Sequence, residues 1–211
     1  MARRRKRKFK WQKLFSRRGQ NRLAKIVLWV IILALVGYGV QELHQVRQRQ
    51  LIVEKQTDSK QLFIKQVAPE AEKMDQKYNV PASITLAQAI LESDWGSSTL
   101  SAKYYNLFGV KSSDTTNSKV LTTKEYVNGK WIVTSGRFRV YTSWDQSIDA
   151  HTLLMVNGTT DDPQKYTGVT QASSYTQAAQ ALQTAGYATD PDYASKLIRV
   201  IETYHLNKYD Q

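Results

Sequence analysis

The stretch that decides the fold runs from Ala87 to Leu100 and reads AQAILESDWGSSTL. It begins inside an apolar segment, Ile84–Leu91, and Pro81 precedes this segment. Because proline suits the first turn of a helix, the pattern predicts a helix from about Pro81 to Glu92. Glu92 then lies at the C-terminal end, where the helix dipole and burial both raise the pKa of a carboxyl group. A general acid working at neutral pH needs such a raised pKa.

The residues around Glu92 leave two roles open for it. Thr85, Gln88 and Glu92 share one face of the predicted helix, and polar residues on that face suggest that it lines a cleft. A surface glutamate beside a helix end fits the same spacing. Spacing alone slightly favours this second role over catalysis.

The remaining sequence excludes several other chemistries. There is no cysteine, so disulfides, cysteine zinc sites and thiol nucleophiles are excluded. The three histidines, His44, His151 and His205, are far apart in the sequence, and no H-E-x-x-H spacing occurs. We therefore expect no metal and no cofactor, and we expect His151 to be a packed or surface residue. Carboxylates remain, and glycoside cleavage uses them in pairs.

Periodicity around the deciding stretch predicts a mainly helical α+β body with one small β-hairpin lobe. Asn128-Gly129 is a strong hairpin signal, and a two-residue turn there pairs Glu125 with Ile132. A third strand is expected at Arg137–Tyr141, and Ser97–Ser118 has the composition of a loop. Helices are predicted at Gln61–Tyr78, Ser143–Val156, Tyr175–Thr184 and Tyr193–Tyr204.

The N-terminal region predicts a membrane anchor. Ile26–Val40 contains no charge and residues 1–25 hold twelve Lys and Arg, so the tail should stay in the cytoplasm. We assign a basic cytoplasmic tail to residues 1–22, a transmembrane helix to 23–41, a helical stalk to 42–60 and the catalytic domain to 61–211. A core helix or a signal peptide cleaved near residue 40, which would give a secreted protein, are the alternatives; we favour the retained anchor.

The formal charge of +12 does not indicate nucleic-acid binding. Beyond residue 25 the 18 remaining basic residues equal the 18 acidic ones in number, so the body has no global excess to displace counterions. We therefore expect no nucleic-acid partner. The basic tail is best explained as a topology determinant that also contacts anionic lipid, and we expect the protein to be a monomer.

Four segments in order resemble the motifs of glycoside hydrolase family 73, the peptidoglycan N-acetylglucosaminidases that include flagellar and autolysin enzymes. They are Ala87–Leu100, Asn106–Lys111 (NLFGVK), Phe138–Ile148 (FRVYTSWDQSI) and Gly186–Leu197 (GYATDPDYASKL). The resemblance spans about Gln61–Asn207. One departure is Asp94, where the family often has glycine; an extra carboxylate there would perturb the pKa of Glu92.

The resemblance implies a lysozyme-like fold with a β-lobe over a sugar cleft. It assigns the general acid to Glu92 and a second carboxylate to the hairpin, where the sequence offers Glu125. A solvent-facing strand glutamate is the alternative for Glu125. The resemblance also points to a tyrosine of the last motif, Tyr187, with Tyr193 as the second choice.

Four further residues are candidate sugar contacts, each with a structural alternative. Tyr104, Phe108 and Trp144 would stack on sugar faces, although core packing is the commoner fate of aromatic residues. Asn106 would bond an acetamido group or cap a turn.

The expected activity is hydrolysis of the β-1,4 bond of peptidoglycan on the N-acetylglucosamine side. A muramidase or lytic transglycosylase on the same fold, or a wall-binding module without turnover, are the alternatives.

Overall fold

The computed structural model describes residues 17–127 and 130–211, with the side chains at 17–21, 23, 123–127 and 131 outside the description. The chain divides into one unit that ends at Thr57 and a second, Asp58–Gln211. The long helix α1, Arg17–Tyr78, runs from the first unit into the second.

In the first unit, α1 carries the apolar segment. The side chains along it, such as Trp29, Leu33 and Val36, are exposed. Within the part of the chain that the structure describes, this is the one helix long and apolar enough to cross a membrane, with a mean hydropathy of 2.1 over its most apolar window. The predicted cytoplasmic tail lies largely outside the described residues.

The second unit is a helical domain with a two-stranded sheet, the mainly helical α+β class that the sequence predicts. Its core includes five apolar residues at helical spacing in the last part of α1: Phe63, Ile64, Val67, Ala71 and Met74. The remaining elements are α2 (Ala82–Ser93), α3 (Thr99–Tyr104), β1 (Ser118–Val127), β2 (Lys130–Arg139), α4 (Trp144–Asn157), α5 (Thr167–Thr170), α6 (Tyr175–Thr184), α7 (Tyr193–Tyr204) and a 3-10 turn (Leu206–Tyr209).

Two acidic side chains, one shortly before α2 and one near residue 211, accept hydrogen bonds from the start of α2. Pro81 precedes the helix and provides no side-chain cap. Asp75 instead accepts the Ala82 N–H at 3.2 Å, and Asp210 accepts the N–H and the hydroxyl of Ser83 at 2.7 and 2.8 Å. These bonds satisfy donors that a helix N-terminus leaves unpaired.

The end of α2 is a sharp reversal of the backbone. Asp94, Trp95 and Gly96 all have positive φ, at 50°, 58° and 74°. Aspartate tolerates this region better than most residues, which explains how Asp94 replaces the family's common glycine. The Ser93 hydroxyl accepts the Gly96 N–H at 2.7 Å and donates to the Ala89 carbonyl oxygen. The helix therefore ends at Ser93, the residue after Glu92.

The hairpin has the predicted register, with Glu125 opposite Ile132 and Val127 opposite Lys130. Its predicted turn, Asn128-Gly129, lies outside the described residues. The third strand predicted at Arg137–Tyr141 is wrong, because β2 continues to Arg139 and the chain then leaves the sheet.

The prediction of a loop over Ser97–Ser118 is also partly wrong. The segment contains α3, which begins at Thr99 because the Ser98 side chain accepts the N–H of Ser101. The hairpin strand β1 begins at Ser118, the last residue of this segment.

Candidate active site

Glu92 lies on an open groove of about 510 Å³. The walls of the groove come from the end of α2, the segment after α3, α4, the residue before α5 and the segment after α6. Its lining residues are Glu92, Phe108, Val110, Lys111, Leu154, Tyr166, Tyr187, Ala188 and Thr189. Of the predicted polar face of α2, only Glu92 reaches this groove; Thr85 and Gln88 are buried instead.

Two buried side chains hold the Glu92 carboxyl group in place. The Tyr193 hydroxyl, at the first turn of α7, donates to Glu92 Oε1 at 2.8 Å. Gln88 Nε2, one turn before Glu92 in α2, donates to the same hydroxyl at 3.1 Å. Glu92 is thus bonded to a buried hydroxyl that is itself fixed by a buried amide, and this restricts its orientation, as a residue that must meet one substrate atom requires.

The surroundings raise the pKa of Glu92. Loss of hydration among the packed protein atoms is the larger effect, and the hydrogen bond from Tyr193 opposes it. The carboxyl is open to solvent on the groove side. The raised pKa agrees in direction with the expectation from its helix-end position. Asp94 is not among the causes; its carboxyl accepts the Ser97 hydroxyl at 2.8 Å.

A chain of aromatic rings lies behind the groove. Tyr187 stacks on Tyr193 with ring centres 5.7 Å apart and meets the edge of His151 at 5.9 Å. His151 stacks on Phe108 at 3.9 Å. Burial raises the pKa of both Tyr187 and Tyr193, with the nearby charge of Glu92 adding to it. Both tyrosines therefore keep their phenolic protons over the working pH range.

Among these aromatic rings, His151 is the one whose environment the sequence predicted least well. It is fully buried on α4, and burial lowers its pKa to about 3. The expectation of a packed or surface residue left both environments open. Its spacing from Ile148 and Met155, both buried on the same helix, is the signal that would have placed it in the core.

Three of the predicted sugar contacts are not among the residues that line the groove. Asn106 is 1% exposed. Both N–H groups of its amide are used, since Nδ2 donates to the carbonyl oxygens of Val110 and Arg139 at 3.0 and 2.9 Å. This burial and bonding favour the alternative, in which Asn106 caps a turn.

Trp144 and Tyr104 also lie away from the groove lining. Trp144 packs edge-on against Phe63 at 5.3 Å and donates to the Ser101 carbonyl. Tyr104 ends α3, and its carbonyl accepts the N–H of Tyr141. Of the predicted stacking residues, Phe108 alone lines the groove, and one face of its ring is covered by His151.

The predicted second carboxylate, Glu125, is placed only in part. The backbone of Glu125 lies in β1, and its side chain is outside the described part of the structure. In residues 17–127 and 130–211, no three His, Asp or Glu side chains come together as a metal site.

A raised-pKa carboxyl group on the groove of a mainly helical domain is a group suited to the general acid of a glycoside hydrolase. Residues 68–206 match the Glucosaminidase family, described as mannosyl-glycoprotein endo-beta-N-acetylglucosaminidase. The chain belongs to this family.

Two curated relatives and one solved structure support the assignment. The exo-glucosaminidase LytG of Bacillus subtilis is 40% identical over 89% of this chain and 67% of its own length. A probable N-acetylmuramidase of Lactococcus lactis is 39% identical over 78% of this chain, which spans 38% of that relative's length. The catalytic domain of the autolysin Auto from Listeria monocytogenes superposes with a TM-score of 0.67 at 38% identity, covering 72% of this chain and 88% of that one.

Proposed function

We propose that the chain hydrolyses the β-1,4 glycosidic bond of peptidoglycan on the N-acetylglucosamine side, with Glu92 as the general acid. The setting of Glu92 carries the proposal. Its carboxyl group has a raised pKa, lies on an open groove and accepts a hydrogen bond from Tyr193. Such a carboxyl group keeps a proton at higher pH than an ordinary glutamate, and it can transfer that proton to the leaving oxygen.

Attack on the anomeric carbon, as the leaving oxygen departs, needs a second group. Glu125 is the candidate, because a two-stranded hairpin is marginally stable by itself and can move over the groove. Closure would bring its carboxyl group toward the anomeric carbon to activate water. In the alternative route, the acetamido group of the substrate supplies the nucleophile and Glu125 is at most an electrostatic helper.

Digestion of purified peptidoglycan tests the bond that is cleaved. The products are reduced and identified by mass spectrometry. We expect reduced N-acetylglucosamine at the new ends. Reduced N-acetylmuramic acid would instead support a muramidase, the activity named for the Lactococcus lactis relative. Anhydro ends would support a lytic transglycosylase, and absence of any product would support a binding module.

The same digest separates internal cleavage from release of units at strand ends. The family description names an endo-acting enzyme, whereas the Bacillus subtilis relative is an exo-glucosaminidase. An open groove admits an internal segment of a glycan strand, so we propose endo cleavage. Early products of mixed length support this mode, and early release of single disaccharide units would contradict it.

We also propose that residues 23–41 anchor the protein in the membrane, with residues 1–22 in the cytoplasm and 61–211 outside. The support is the exposed apolar surface of α1 and the twelve basic residues before residue 26. Residues 42–60 link the anchor to one catalytic unit, and we propose that the protein acts as a monomer.

Protease added to intact, wall-stripped cells tests this orientation. Degradation of residues 61–211 is the expected result. Full protection of residues 61–211 would show that the proposed orientation is wrong. Release of a protein that starts near Val40 would show that the segment is a cleaved signal.

A further inference from the structure

Gln88 is buried beside the site and has no part in the mechanism proposed above. It is 0% exposed, and it lies four residues before Glu92, on the same face of α2. It cannot touch a glycan strand in the groove. Its amide nitrogen nonetheless lies 3.1 Å from the Tyr193 hydroxyl, and that hydroxyl lies 2.8 Å from Glu92 Oε1. The three groups form a continuous relay from the core to the carboxyl group.

The count of hydrogens fixes the direction of this relay. A tyrosine hydroxyl has one hydrogen to donate, and a carboxylate can only accept. The hydrogen of Tyr193 must therefore point at Glu92 when Glu92 is ionised. Gln88 must then present its N–H groups to the hydroxyl oxygen, because its carbonyl oxygen would compete for the same hydrogen. The buried amide thus biases the tyrosine toward donating to Glu92.

This direction decides which oxygen of Glu92 carries the catalytic proton. Oε1 of Glu92 accepts the hydroxyl hydrogen of Tyr193. A proton on Oε1 would therefore lie against that hydroxyl hydrogen and be repelled by it. The proton of the neutral acid therefore resides on Oε2, the oxygen that Tyr193 does not occupy. The same bond stabilises the ionised form and limits the rise in the pKa of Glu92.

We propose that Gln88 is a positioning residue that acts through Tyr193, orienting its hydroxyl so that the acidic proton of Glu92 is held on Oε2. The proposal rests on the proposed role of Glu92 as the acid. The other titratable groups on the groove are Lys111, Tyr166 and Tyr187, and none of them bridges Gln88 to Glu92 among the described contacts.

A double-mutant cycle on the full chain tests the proposal. Gln88→Met keeps the length of the side chain and removes the donor; Tyr193→Phe removes the hydroxyl. We expect each single variant to lower kcat about tenfold with KM changed less than twofold, and to move the basic limb of the kcat profile to higher pH. In the Tyr193→Phe background, Gln88→Met should have no further effect, because its route to Glu92 is already broken.

Thr85→Val is the matched control. Thr85 is also buried on α2, 1% exposed, and its hydroxyl has no hydrogen-bond partner among the described residues. The control removes a buried polar group without touching the relay, so the pH limb should stay in place. Thermal unfolding of each variant checks that the fold survives.

The second readout does not use activity. The pKa of the Glu92 carboxyl is measured by carbon NMR on glutamate-labelled protein, and it should rise in Gln88→Met but not in Thr85→Val. Independent, additive effects of Gln88→Met and Tyr193→Phe on this pKa would overturn the relay. Near-normal turnover by Glu92→Gln would overturn the proposed function instead, so the two failures are distinguishable.

Discussion

Replacement of His151 by leucine should remove a large part of the acid sensitivity of the fold. The imidazole is fully buried, and burial lowers its pKa to about 3, against the 6.5 of a solvated histidine. Between these two values the unfolded chain binds a proton that the folded chain refuses. The stability supplied by the neutral imidazole is therefore complete above pH 6.5 and is lost as the pH falls toward 3.

The size of the effect follows from the two pKa values. Lowering the pH from 7 to 5 should reduce the free energy of unfolding by about 2 kcal/mol through His151 alone. For a unit of this length, that corresponds to a fall of roughly 4–8 °C in melting temperature. In His151→Leu the contribution is absent, so the variant should lose about 2 kcal/mol less than the wild type over the same range.

Urea unfolding in detergent, followed by tryptophan fluorescence at pH 7, 6 and 5, measures the difference. Burial raises the pKa of Asp75, Asp210 and Glu92, and these groups act in the opposite direction. They are common to both proteins and cancel in the comparison. His205→Asn, which replaces an exposed histidine, is the matched control for the loss of an imidazole. Parallel curves for wild type and His151→Leu would refute the reasoning.

Four further substitutions probe the site and its frame. Glu92→Gln should lower the rate of peptidoglycan digestion by about 10²–10⁴ with an unchanged melting temperature, and near-normal turnover would remove Glu92 as the acid. Glu125→Gln should cost a comparable factor if Glu125 is the base; a loss under about tenfold leaves it as an electrostatic helper. Tyr187→Phe keeps the stacked ring and should reduce kcat less than Tyr193→Phe does; the reverse order would return the leading role to Tyr187. Gly96→Ala should destabilise the fold by about 2–4 kcal/mol in urea unfolding, because φ is 74° and a Cβ would lie 2.7 Å from the Trp144 ring. An unchanged unfolding midpoint would show that the ring can move aside.

Local sequence patterns were enough to predict most helices of the catalytic unit. Helices α6 and α7 begin and end where periodicity and turn residues placed them, because Ser174 and the Asp190-Pro191 turn mark their starts. The pairing register of the hairpin followed from a two-residue turn. The Ser98 cap of α3 was present in the sequence as well, but a six-residue helix gives too short a pattern to detect.

The roles of individual site residues depended on distant contacts that no local pattern contains. Asn106 is bound to Arg139, 33 residues further along the chain, and this bond takes it out of the candidate sugar contacts. The preference for Tyr187 over Tyr193 rested on family analogy. The hydrogen bond from Tyr193 to Glu92 joins residues 101 positions apart and is visible only in the folded structure.

The acidic caps on α2 have a consequence for the order in which the enzyme becomes complete. Asp75 precedes the helix, but Asp210 is made 127 residues after its partner Ser83. At about 5–20 residues per second, the ribosome needs roughly 6–25 s to cover that interval. During this time the helix that carries Glu92 lacks one of its two acidic caps. Synthesis of nearly the whole sequence is therefore required before that helix is fully capped, and a chain interrupted before residue 210 leaves the start of the helix half-secured.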